Sequence, residues 1–156
     1  ERDGFAVSQW GSGAVIDAPL TTVDDSVVSQ FTHASTEEFD ALRVRSGWPA
    51  MGSEIVAGET LPAATGVVSI AVSFTKGCYP GQELVERMDS RGSTAPKNLR
   101  LLTGSIVDNA KPGDAVVVNG EAVGEFTSVA DGCALAYVAR AVELGVVVDA
   151  TKFVDS

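Results

Sequence analysis

Asn119-Gly120 stands between the apolar runs Val116-Val117-Val118 and Ala122-Val123. A two-residue hairpin loop of the favoured type needs positive φ at both central positions, which Asn and Gly tolerate best. The pair therefore predicts a tight antiparallel hairpin. Pro112-Gly113-Asp114 marks a further turn just upstream. From about Ala95 onward, short Val-, Leu- and Ala-rich runs alternate with such turns. They predict strands near 98–106, 115–119, 122–128, 133–141 and 146–149. Several short strands of this spacing fit a small antiparallel barrel or sandwich. The change of pattern puts a domain boundary near 92–97.

The part before that boundary reads differently. Phe5-Ala6-Val7, Ala14-Val15-Ile16 and Val27-Val28-Ser29-Gln30-Phe31 predict two or three strands within 1–34, punctuated by Gly11, Gly13 and Asp24-Asp25. Ser35 followed three residues later by Glu38 has the spacing of a capping box and predicts a helix over 36–46. Phe39 and Leu42 are its expected core anchors, with Arg43 and Ser46 on the same side, and Gly47 and Pro49 end it. Residues 47–66 carry four glycines and two prolines and read as a long irregular connection, a kind of segment that often serves function. Val67 to Phe74 is expected to form a buried strand or a turn. Pro80 or Gly81 is expected to open a short helix, with Gln82 and Glu83 in its first turn and Asp89 to Ser93 stopping it.

The chain has 156 residues, of which 45% are hydrophobic, enough to bury a core. Eleven Lys and Arg against 21 Asp and Glu give a net charge of −10. That balance argues against non-specific nucleic-acid binding, which requires cations to neutralise phosphates. It argues equally against an anionic membrane surface, and no apolar run has the length of a membrane span. Cys78 and Cys133 lie far apart and in no metal-ligand spacing, and His33 is the only histidine. No metal site is expected. Free cysteines and the lack of a visible signal peptide lead to the expectation of a cytoplasmic protein.

The chemistry concentrates in Lys76-Gly77-Cys78-Tyr79-Pro80-Gly81-Gln82-Glu83. A nearby ammonium and a helix start both favour a thiolate at Cys78, whereas a bland reading makes it a small buried hydrophobe. Gly77 and Gly81 would let the backbone approach a ligand or adopt positive φ. Glu83 and Arg87 share a helix face by i, i+4 spacing; the alternatives are a ligand contact or plain compensation of the helix dipole. Cys133, in an alternating strand, reads as core filler. Trp10 and Trp48 could line a flat pocket or pack at an edge.

This eight-residue segment resembles the K-G-C-[YF]-x-G-Q-E signature of the folate-binding YgfZ-like family, relatives of the glycine-cleavage T-protein, an aminomethyltransferase. Flanking residues are similar too: Leu42-Arg43-Val44 before Gly47 and Pro49, Glu59-Thr60-Leu61-Pro62, Val72-Ser73-Phe74, Arg87, Arg91-Gly92, Asn98 to Leu101, and Gly124 to Ser128. The resemblance implies an α+β fold, in which residues 1–94 form the C-terminal part of a ferredoxin-like T-protein-type domain and 95–156 a small antiparallel β-barrel. It implies tetrahydrofolate as cofactor and a role in iron–sulfur cluster assembly or repair, with iron–sulfur proteins among the partners. Cys78 would be the functional thiol, and Lys76, Tyr79, Gln82, Glu83 and Arg87 the folate-facing residues. Arg45 stands where T-proteins carry a pterin-binding Glu, which counts against aminomethyl transfer. The family's N-terminal half has no counterpart in these residues, and its separate addition is an expected requirement. The remaining alternatives are a folate-dependent aminomethyltransferase and a non-catalytic docking module.

Overall fold

The computed structural model describes residues 6–10, 13–17, 29, 32, 34–90 and 95–149. The expected strand at 27–31, His33, Arg91-Gly92 and the last residues of the chain fall outside that set, apart from Ser29. Strands β1 (Ala6–Trp10) and β2 (Gly13–Asp17) pair antiparallel, from Ala6 opposite Asp17 to Trp10 opposite Gly13.

The second half is one antiparallel sheet of five strands: β3 (Lys97–Thr103), β4 (Ala115–Val118), β5 (Glu121–Ala130), β6 (Cys133–Ala139) and β7 (Val146–Val147). Their spatial order is β4-β5-β6-β3-β7. The Asn119-Gly120 hairpin forms as its sequence predicts, with φ of 52° and 84° at the two residues and Val118 opposite Glu121. The barrel expectation is corrected: among the described residues the sheet stays open, with β4 and β7 as its edges. β7 is only two residues long and contacts β3 alone, so it offers too short a ladder for β4 to close upon. A shift of register at Phe126/Ser128 lets the ten-residue β5 bend, and bulges of this kind increase local twist.

Both faces of the sheet are buried. Leu102, Val116, Phe126, Ala134, Ala136 and Val138 face one side, where Val107 packs on them. Leu99 and Leu135 face the other, with Val44 and Val148. Val44 comes from helix α1 (Thr36–Arg45). Ser35 caps that helix as its sequence predicts: its side chain accepts from Glu38 N–H at 3.1 Å, and the Glu38 carboxylate accepts from Ser35 N–H at 2.8 Å. The expected anchors are wrong. Phe39 is 43% exposed and Leu42 half-buried, whereas Ala41, Arg43 and Val44 are buried. Helical spacing puts Ala41, Val44 and Arg43 on the arc facing the sheet, and Phe39 outside that arc.

The long connection after α1 is tied to its own backbone. Glu54 N–H and Ile55 N–H both donate to Ala50 O, and a 3₁₀ turn forms at Pro62–Ala64. Residues 67–74, expected as a buried strand or a turn, hold a four-residue helix, α2 (Val68–Ala71). Ala71 and Val72 donate to the carbonyls of Val67 and Val68, so local bonds satisfy this backbone in place of a ladder. Helix α3 (Gln82–Ser90) follows the cysteine segment and buries only Val85. Gly81 precedes it at φ +83°, a conformation that glycine adopts without strain.

Candidate functional site

The cysteine segment lies on the surface. Lys76, Gly77, Cys78, Pro80 and Gly81 are exposed, and Cys78 is a free thiol. Tyr79 is half-buried, and the Lys76 Nζ sits 4.7 Å from the centroid of its ring. At that distance the ammonium is held by the ring quadrupole. It thereby comes to Tyr79, which sequence reasoning did not anticipate. The Tyr79 hydroxyl is enclosed and, among the described residues, has no hydrogen-bond partner. Enclosed hydroxyls are ordinarily bonded, so this atom is an exception to the usual pairing.

The helix residues pair within α3. Gln82 Nε2 donates to Glu86 Oε1 at 2.6 Å, and Arg87 approaches Glu83 at 4.0 Å in an exposed geometry that contributes little to stability. Gln82 is half-buried, while Glu83 and Arg87 stand in the open beside Phe74, Asp89 and Ser90 around a shallow depression. Thus the structure brings Lys76 together with Tyr79 and Glu83 together with Arg87. Cys78, between Lys76 and Tyr79 in sequence, is exposed and in no disulfide among the described residues. Cys133 is half-buried against the Leu99–Leu135 cluster, in keeping with its reading as filler.

Sequence reasoning missed a densely hydrogen-bonded buried polar group centred on Arg43 and Glu54. Arg43 is buried and its guanidinium reaches four partners. Nε donates to Asp40 at 2.7 Å, Nη1 to Trp48 O at 2.8 Å and to Glu54 Oε2 at 2.9 Å, and Nη2 to Ser128 Oγ at 2.8 Å. Glu54, fully enclosed, also accepts from Ala50 N–H at 2.9 Å and from Ser128 O–H at 2.6 Å. A buried pair of opposite charges holds its place only when its remaining donors and acceptors are satisfied, and here they are. The arrangement locks helix α1, the connection after it and strand β5 to one another.

The backbone of Glu54 is held as firmly. Its carbonyl accepts from Tyr137 O–H at 2.9 Å and from Thr60 O–H at 3.1 Å. Burial, and then the Glu54 charge, push the Tyr137 hydroxyl up to about 12. Beside this clamp a cleft of about 340 Å³ opens between the connection and the sheet. Val56, Leu61 and Ala64 form one wall, with Ala95, Pro96 and the Tyr137 ring opposite. Among the described residues no three His, Cys, Asp or Glu side chains gather in a way that could hold a metal ion. No helix among them is long and apolar enough to cross a membrane.

The chain is 32% identical over 90 residues to the tRNA-modifying protein YgfZ of Escherichia fergusonii, a stretch covering 57% of this chain and 27% of that protein. The YgfZ proteins of Escherichia coli strains are similar over the same length, at 32% and 31% identity. The likeness supports a YgfZ-like family for this chain. The matched stretch spans little more than a quarter of these relatives' length, and no family model matches the chain.

Proposed function

We propose that this chain is the thiol-bearing portion of a tetrahydrofolate-binding accessory protein that serves iron–sulfur cluster assembly or repair. The observation that carries the reading is Cys78: a free, exposed cysteine inside a segment resembling the YgfZ-like signature, in a chain similar to proteins named for tRNA modification. The net charge of −10 disfavours a direct grip on tRNA phosphates. A part in tRNA modification would therefore run through a protein or cofactor.

The residues around Cys78 fit one side of a folate. Exposed Lys76 suits the anionic glutamate tail, and the half-buried Tyr79 ring suits the flat face of the pterin. Gln82, Glu83 and Arg87 extend the same surface along α3. Bound folate supplies a flat ring and a one-carbon carrier. The chain's own contribution is to hold that ring from one side and to present the Cys78 sulfur beside it. The opposite wall would come from the N-terminal half that the resemblance implies.

The test is Cys78→Ala in cells lacking the endogenous protein, read by iron–sulfur enzyme activity and by tRNA modification. Cys78 is exposed and in no disulfide among the described residues, so the variant should fold with a stability within about 0.5 kcal/mol of the parent. Loss of both readouts is expected, and full complementation would refute the role of the thiol. Tryptophan fluorescence reports tetrahydrofolate directly, and saturable binding is expected once the N-terminal half is added. No binding with that half present would refute the folate assignment.

A further inference from the structure

We infer that the cleft beside Tyr137 is a second binding site, for an elongated zwitterion of the size of a di- or tripeptide. Its volume of about 340 Å³ lies in the range of small-ligand clefts. Its walls are pre-formed. The Tyr137 hydroxyl and the Thr60 hydroxyl both hold Glu54 O, Val56 N–H donates to Thr60 Oγ1 at 2.9 Å, and the Glu54 carboxylate is held by Arg43 and Ser128. Little ordering entropy remains to be lost on binding, which favours affinity.

Three charged side chains line this apolar cleft without an ion pair among the described residues: Lys97, Glu59 and Glu125. Both signs are present, so a ligand with one charge would leave an opposing group unmatched. The sheet sets the spacing. Glu125 is opposite Tyr137, Tyr137 is opposite Leu99, and Lys97 lies two residues before Leu99 on the same face. Two inter-strand steps and two residues along the strand separate the Glu125 and Lys97 backbones by roughly 12 Å, with the Tyr137 ring between them. An extended di- or tripeptide spans about 7–10 Å. That length matches the separation once the inward reach of the two side chains is allowed for. The ammonium end meets Glu125 and Glu59, the carboxylate end meets Lys97, and the apolar middle lies on Tyr137, Leu61 and Pro96.

The site is separate from the Cys78 segment, whose residues do not line it. The test is a titration of the full chain with trialanine followed by amide NMR shifts, repeated with N-acetylated and with C-amidated trialanine. Lys97, Glu59 and Glu125 are all exposed, so charge-neutral variants should fold. Trialanine should shift the amides of residues lining the cleft at about millimolar concentration. Each blocked peptide should bind about fivefold more weakly, the worth of one exposed charge pair. Lys97→Gln should erase the preference for the free carboxylate only, and the double variant Glu59→Gln/Glu125→Gln the preference for the free ammonium only. Failure of trialanine to shift the cleft amides would overturn the inference. So would equal binding of the blocked peptides, or the same loss of both preferences in every variant.

Discussion

Replacing Arg43 by Met removes a buried charge while keeping most of the side chain's volume. The Glu54 carboxylate would then keep its bonds from Ala50 N–H and Ser128 O–H but lose its counter-charge inside a fully enclosed site. Removing one partner of a buried ion pair costs about 3–5 kcal/mol, because the other charge is left uncompensated. A domain of this size has a total stability of about 5–15 kcal/mol, so the loss is a large fraction of it. Urea unfolding followed by circular dichroism measures it directly. A double variant, Arg43→Met with Glu54→Leu, removes both charges and should be destabilised by less than the sum of the two single changes. The coupling should exceed about 1 kcal/mol, since the two groups touch at 2.9 Å. If Arg43→Met proves too unstable to purify, Ser128→Ala perturbs the same group more mildly, by about 1–3 kcal/mol. A cost below about 1 kcal/mol for Arg43→Met, or additivity of the two single changes within about 0.5 kcal/mol, would refute the view that this pair holds the helix, the connection and the sheet together.

Two further outcomes follow from particular contacts. Tyr137 holds its proton more tightly in the folded chain, up to about 12 against an ordinary 10, so the associated stability is present below pH 10 and is lost as pH rises from 10 towards 12. Phenolate absorbance should show a late-ionising component that vanishes in Tyr137→Phe, which also loses about 1 kcal/mol with the bond to Glu54 O. Gly66 has φ +75° and a Cβ there would collide with the carbonyl of Val148, whereas Gly58 has φ +81° with open space around it. Thermal unfolding should therefore show Gly58→Ala costing about 1–2 kcal/mol of backbone strain and Gly66→Ala roughly 1–3 kcal/mol more; equal losses would contradict the packing of Gly66 on Val148.

The parts of the fold legible in the sequence are those governed by neighbours. The Asn119-Gly120 turn, the Ser35–Glu38 cap and the helix start after Gly81 each depend on residues a few positions apart, and each is where it was expected. What depended on distant partners was not legible. Phe39 is more apolar than Arg43 and was the natural choice for the core. Yet Arg43 is drawn inward by Glu54, 11 residues away, and by Ser128, 85 residues away. No spacing rule connects those three positions. Closure of the sheet was not legible for a similar reason: β7 is two residues long, and Gly145 before it packs against Leu101 O, 44 residues away in sequence. In the candidate site, the Glu83–Arg87 spacing on α3 could be read from the sequence, whereas the exposure of Cys78 was left open between a reactive thiol and a buried hydrophobe. The Lys76–Tyr79 contact left no trace beyond the presence of the two residues, and the cleft left none, because its walls come from four separate stretches of chain.

Ser128 gives its proton to Glu54 and takes one from Arg43, so a single hydroxyl on β5 completes the junction between three segments far apart in sequence. Such a junction cannot be assembled piecemeal: the connection has no firm seat until both the helix and the sheet are in place. Its amides should then behave as part of the sheet in time as well as in space. The Ala50 N–H, bound to the Glu54 carboxylate, should exchange with deuterium only when the whole sheet opens, at the slow rate of global unfolding and far below that of an ordinary surface loop.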